Sequence, residues 1–211
     1  EYVIQDVLTQ FLQLDGGEDF VEAFPTLTKG SLSIFFVVLL ESLVSIMKKI
    51  DFKNGKSKVV LFESRKVALH LKTIVLFTKS DSFVTVSMMT NVLKQVRIYV
   101  DILNKNMAFF ENFFVSRQDE IVGLFKLVQS STRQVHNICA YGKNEKKNAQ
   151  VATLIPGVKR SMEEFIFRVK GMLVSSGPST GVTFWAGNLR TRNLDGSEWQ
   201  AANDDYSSGD E

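Results

Sequence analysis

Cysteine, histidine and proline are scarce in this chain of 211 residues. A single cysteine, Cys139, excludes an intrachain disulfide framework and a cysteine-rich zinc module. Lying in an apolar-periodic segment, it reads as a small buried thiol. The two histidines, His70 and His136, leave little for a nucleophile, base and orienting group, and neither has a metal-ligand spacing such as HExxH. Glu163 and Glu164 are adjacent, so on a helix their side chains diverge. No Gly-rich phosphate loop and no strand-helix alternation is present. These shortages predict no enzyme, no metal and no cofactor. The most hydrophobic stretch has an apolar core of seven residues, Ile34 to Leu40, against about 20 for a membrane span. No membrane partner is expected.

What is present is a core-forming chain, 45% hydrophobic with seventeen phenylalanines. Its charge is graded. Residues 1–47 hold seven acids and one lysine, net −6; residues 48–194 hold twenty-four basic and ten acidic residues, net +14; residues 195–211 hold six acids and no base, net −6. The basic middle attracts polyanions and the acidic end masks or repels them.

Helical spacing recurs along the chain. Residues 2–14 place Val3, Val7, Leu8, Phe11 and Leu12 on one face before the break at LDGGED. A helix over 32–52 follows, then a turn at KNGK. The next helix ends near Lys79 and has Val59, Val60, Phe62, Val67, Leu71, Ile74 and Val75 as its apolar positions, although KVVLF is β-prone. In the fourth helix Val86, Met89, Leu93, Val96, Val100 and Leu103 form one stripe, and the pattern continues to Phe113 or Phe114. Ser116 and Asp119 suggest a capping box for a helix reaching Cys139. Pro156 opens the last helix, which Gly177 and Pro178 stop. About six helices with short links predict an all-α fold, an α-solenoid (HEAT-like) slice, with a closed bundle as the alternative.

Lys48, Lys49, Lys53, Lys56, Lys58, Arg65, Lys66 and Lys72 crowd a helix end, a turn and the next helix. Lys143, Lys146 and Lys147 form a second cluster. Lys53, Lys56, Lys58, Lys143, Lys146 and Lys147 are the candidate DNA-binding residues, meeting phosphates without reading bases. Solvated surface is the alternative. No zinc finger, RNP aromatic pair, GxxG loop or helix-turn-helix occurs.

Three blocks, STRQVHNICAYGKN, LIPGVKRSMEEFIFRVKGML and FWAGNLRTRNLDG, stand in order before the acidic end, preceded by NKNMAFFENFFVSRQDEIVGLFKLVQ. In order and spacing they resemble the carboxyl-terminal region of the Fanconi anaemia group D2 family. The resemblance covers 92–196 and extends more loosely back to about 58. It implies a non-catalytic nuclear scaffold of DNA repair that pairs with the related group I protein. The pair is expected to enclose double-stranded DNA as a sliding clamp in interstrand crosslink repair. Mono-ubiquitination of a lysine ahead of this segment is expected to lock it. A helical adaptor without DNA contact is the alternative. The implied organisation is a helical segment over 1–57 continuing from a larger upstream solenoid, a carboxyl-terminal arm over 58–178, a non-helical cap over 179–199, and a disordered acidic tail over 200–211 open to other repair proteins. Phe184, Trp185, Arg190 and Arg192 are the candidate cap or partner-contact residues.

Overall fold

The computed structural model describes residues 31–78, 84–141, 148–175, 190–192 and 198–200. Five long helices dominate: α1 (Ser31–Lys49), α2 (Ser57–Thr78), α3 (Val86–Lys105), α5 (Gln118–Tyr141) and α7 (Ile155–Ser175). The short helices α4 (Met107–Phe113) and α6 (Ala149–Ala152) serve as connectors. The strands β1 (Arg190–Arg192) and β2 (Glu198–Gln200) pair antiparallel, with Arg190 opposite Gln200 and Arg192 opposite Glu198. The fold is therefore mostly helical, with a small ribbon inside the expected cap. The expected tail boundary at Gln200 falls within β2. The expected helix over 2–14 lies outside the described residues.

The long helices pack in two layers. α3 lies between α1 and α7, while α2 lies against α5; α1 also packs on α2, and α5 on α7. This explains why α3 is buried more widely than one stripe. Met89, Leu93, Val96, Val100 and Leu103 are buried as expected, and so are Met88, Val92 and Tyr99, because two neighbours cover the helix. Val86 is only partly buried. The Tyr99 hydroxyl donates to the Ser64 carbonyl at 2.8 Å, joining α3 to α2. Asn104 Nδ2 donates to the Ser161 carbonyl at 2.9 Å, joining α3 to α7. Cys139 is buried, as its surroundings in sequence indicate.

Three local expectations are corrected. The fourth helix does not run on to Phe113: it breaks at Asn106 (φ −110°, ψ 21°), whose Nδ2 donates to the Ile102 carbonyl at 2.7 Å. An asparagine that bonds its own preceding turn competes with helix continuation. The capping box at Ser116 does not form, because the Ser116 hydroxyl donates back to the Phe113 carbonyl at 3.1 Å. The third correction concerns Val59 and Phe62, which are exposed in α2. Val60, Ser64, Val67 and Leu71 line its core side, and Phe62 lies roughly 200° round the helix from Val60. The β-prone KVVLF stretch is helical.

Aromatic rings cross the core in a connected series. Phe52, in the turn after α1, meets Phe109 edge-on at 5.6 Å between centroids and Phe110 at 6.3 Å. Phe110 meets Phe125 of α5 at 5.1 Å, and Phe125 meets Phe165 of α7 at 5.1 Å. Edge-to-face contacts of this kind add to area burial. Phe110→Ala should lower unfolding stability by about 3–5 kcal/mol in denaturant titration. Phe167→Ala, at a position 78% exposed, should change it by about 0.5 kcal/mol or less.

Candidate nucleic-acid interface

The basic end of the molecule is built around one turn. α1 finishes with Lys48 and Lys49, whose positive charge suits the negative end of the helix dipole. The chain then reverses at Asp51. Its Oδ1 accepts from the backbone N–H of Lys53 at 2.9 Å and of Asn54 at 3.1 Å, while Oδ2 accepts from Asn54 Nδ2 at 3.2 Å. Bonds from the Asn54 and Lys53 amides hold the Asp51 carboxyl below its ordinary pKa. Gly55 closes the turn, with its N–H donating to the Asp51 carbonyl at 2.8 Å. A Cβ at Gly55 would run into that same carbonyl oxygen, so the close approach requires glycine.

This geometry presents Lys53, Lys56 and Lys58 as exposed side chains beside exposed Lys48 and Lys49. None of these five makes an ion pair among the described residues. The first turn of α2 has no acidic residue, although the positive end of a helix favours one. Lys66 belongs to a different arrangement: its Nζ pairs with Glu63 at 3.0 Å and lies 5.1 Å from the Phe62 ring centre. Lys72 is roughly 21 Å along α2 from Lys58, outside the turn cluster.

The structure thus brings together Lys53, Lys56 and Lys58. Lys143, Lys146, Lys147, Phe184 and Trp185 lie outside the described residues. Arg190 and Arg192 lie in β1, which approaches α5. Gly55 lies in the turn expected at KNGK, whereas Asp51, which shapes that turn, was missed by a search for cations; the Asp-x-x-Asn-Gly spacing is the signal that marks it.

Both histidines are buried. His70 Nδ1 lies 2.6 Å from the Lys66 carbonyl oxygen. Burial pushes the His136 pKa down, with the positive charge of Lys159 as a lesser cause, and the neighbouring Asn137 side chain opposes the shift. Among the described residues, no group of three or more His, Cys, Asp or Glu is placed to hold a metal ion. No helix among them is long and apolar enough to cross a membrane.

A family model described as "Fanconi anaemia protein FancD2 nuclease" matches residues 13–211. The chain belongs to the FancD2 family. The match reaches back well beyond the blocks that carry the sequence resemblance. The Fanconi anemia group D2 protein of Gallus gallus is 28% identical over 179 residues, covering 83% of this chain and 12% of that relative. The homologues of Rattus norvegicus and Mus musculus are each 26% identical over the same length. The chain therefore spans about an eighth of the length of these relatives, 12%. No solved structure matches it.

The family description overturns the expectation of no enzyme, because it names a nuclease. That expectation rested on scarce histidine and unpaired carboxylates within this segment. Local scarcity in a chain that spans 12% of its relatives' length does not define the chemistry of the family.

Two outcomes follow from the titrating groups. Asp51→Ala should speed amide exchange at Lys53 and Asn54, measured by hydrogen exchange. In the unaltered chain the same protection should persist above the ordinary carboxylate range and fade as pH falls through the lowered folded value. For His136 the unfolded chain binds the proton more readily than the folded one. Melting temperature should therefore fall as pH drops below the ordinary value of 6.5, and His136→Gln should flatten that fall.

Proposed function

We propose that this segment is a helical arm of a DNA-repair scaffold, and that its basic turn holds the phosphate backbone of double-stranded DNA. The observation that carries the proposal is the set of exposed lysines, Lys53, Lys56 and Lys58, on a turn pre-shaped by Asp51 and Gly55. Lysines on such a turn grip charge and read no base. A lysine-rich α2 start that lacks the expected acid also favours this reading. The same grip would suit the nuclease that the family description names, since a nuclease must hold a polyanion. No reacting residue is assigned.

Family membership supports the wider reading. In it, the two-layer packing is one slice of an α-solenoid, and the arm belongs to a nuclear clamp formed with the group I protein around DNA in interstrand crosslink repair. The clamp is locked by mono-ubiquitination ahead of this segment. Small shifts between stacked helix pairs can move a distant end, which is what arm closure requires. Exposed Phe167 on α7 favours a second reading, a protein adaptor surface.

Duplex DNA titrated into the chain at increasing salt tests the reading. Affinity should fall with a log-log slope near 0.9 per phosphate contact, and Lys53→Glu, Lys56→Glu and Lys58→Glu together should lower that slope by roughly 2–3. All sequences should weaken alike. An unchanged affinity in the triple variant, or a loss confined to particular sequences, would remove the turn from DNA contact.

A further inference from the structure

Ser57 stands between exposed Lys56 and Lys58 and is itself half-buried. Its Oγ accepts from Arg117 Nε at 3.2 Å, a contact between residues 60 apart in sequence. Arg117 lies between α4 and α5, where its backbone N–H donates to the Phe113 carbonyl at 3.0 Å. Its Nη1 is taken by Glu120 at 2.7 Å. Its Nη2 makes no hydrogen bond among the described residues. Nε and Nη2 form one edge of the guanidinium, and such an edge grips a phosphate through two parallel hydrogen bonds. Here half of that edge meets a neutral hydroxyl and the other half meets nothing.

We infer that Ser57 is a phosphorylation site, whose phosphate is held by Arg117 and closes the basic turn to nucleic acid. The closing of the turn rests on the DNA reading above; the capture of the phosphate by Arg117 does not. The phosphoryl group comes from a nucleoside triphosphate through a serine kinase. The Ser57 Oγ–P bond forms, the bond from the γ-phosphorus to its bridging oxygen breaks, the diphosphate leaves and the hydroxyl proton is released. The new oxygens lie on the atom that Arg117 already contacts, so Nε and Nη2 are both within their range. The added charge, about −1.5 to −2, offsets Lys56 and Lys58, which make no ion pair among the described residues. Nearby carboxylates are already engaged, Asp51 by the Lys53 and Asn54 amides and Glu120 by Arg117 Nη1. The acid-free first turn of α2 gains from the same charge. Ser57 is the only serine in the chain with a basic residue on each side, a pattern that suits a kinase with an acidic substrate groove. Ser161, which follows Arg160, is buried.

Treating the full 211-residue chain with the catalytic domain of protein kinase C and magnesium ATP tests this. The modified residues are mapped by mass spectrometry, because Thr191 also has a basic residue on each side. Ser57 should be modified in the folded chain. In phosphorus NMR its phosphate should titrate about one pH unit lower in the folded chain than in urea, and Arg117→Gln should remove the difference. The comparison with urea decides the capture even if that variant unfolds. Duplex DNA should bind the modified chain more weakly, with the log-log salt slope lowered by roughly 2. Ser57→Ala, given the same treatment, should bind duplex as the untreated chain does. No phosphate at Ser57, or the same titration in folded and unfolded chain, would overturn the capture. Unchanged duplex affinity after modification would overturn the closing of the turn. An untreated chain that binds no duplex would overturn the DNA reading instead, and the titration would still decide the capture.

Discussion

Phe52 is the point at which the core reaches the basic surface. Its ring packs on Phe109 and Phe110, and through Phe110 and Phe125 it is connected to Phe165 of α7. A surface turn rich in lysine would otherwise repel itself and fray. Here one end of the turn is held by a buried aromatic ring, and its interior by the Asp51 carboxylate. The electrostatic feature thus depends on an apolar one. Loosening Phe110 would weaken the contacts of both the turn and α7, because each touches the same series of rings.

The packing of α3 sets the rest. A helix covered by α1 on one side and α7 on another must be apolar over most of its circumference, and the two polar bridges through Tyr99 and Asn104 fix its register against α2 and α7. Burial pushes the Tyr99 phenol pKa far up, so it remains neutral and can donate to the Ser64 carbonyl. Buried polar groups that are hydrogen-bonded in this way specify one arrangement of helices where apolar contact alone would allow several.

Much of this was legible in the sequence, for identifiable reasons. The 3-4 spacing from Met89 to Leu103 needs only helical geometry to be read, and the buried positions follow it. Pro156 marks the start of α7 because its missing N–H costs nothing in a first turn. The exposure of Phe62 was not legible, because hydrophobicity alone does not say which side of α2 faces α5; the small Ser64 takes the core-facing place instead. The break at Asn106 depends on a side-chain bond to Ile102 that periodicity does not register. At the candidate interface the lysines and the turn at KNGK were visible, whereas the Asp51 carboxylate that holds the turn had to be placed in space.

The proposed phosphate grip of the basic turn is the account's central claim. Lysine acetylation footprinting of the chain, with and without duplex DNA at low salt, tests it most directly. The account predicts that Lys48, Lys49, Lys53, Lys56 and Lys58 are protected together by DNA, while exposed Lys94 and Lys105 on α3 react at an unchanged rate. Equal protection of all these lysines, or protection of Lys94 and Lys105 alone, would contradict it.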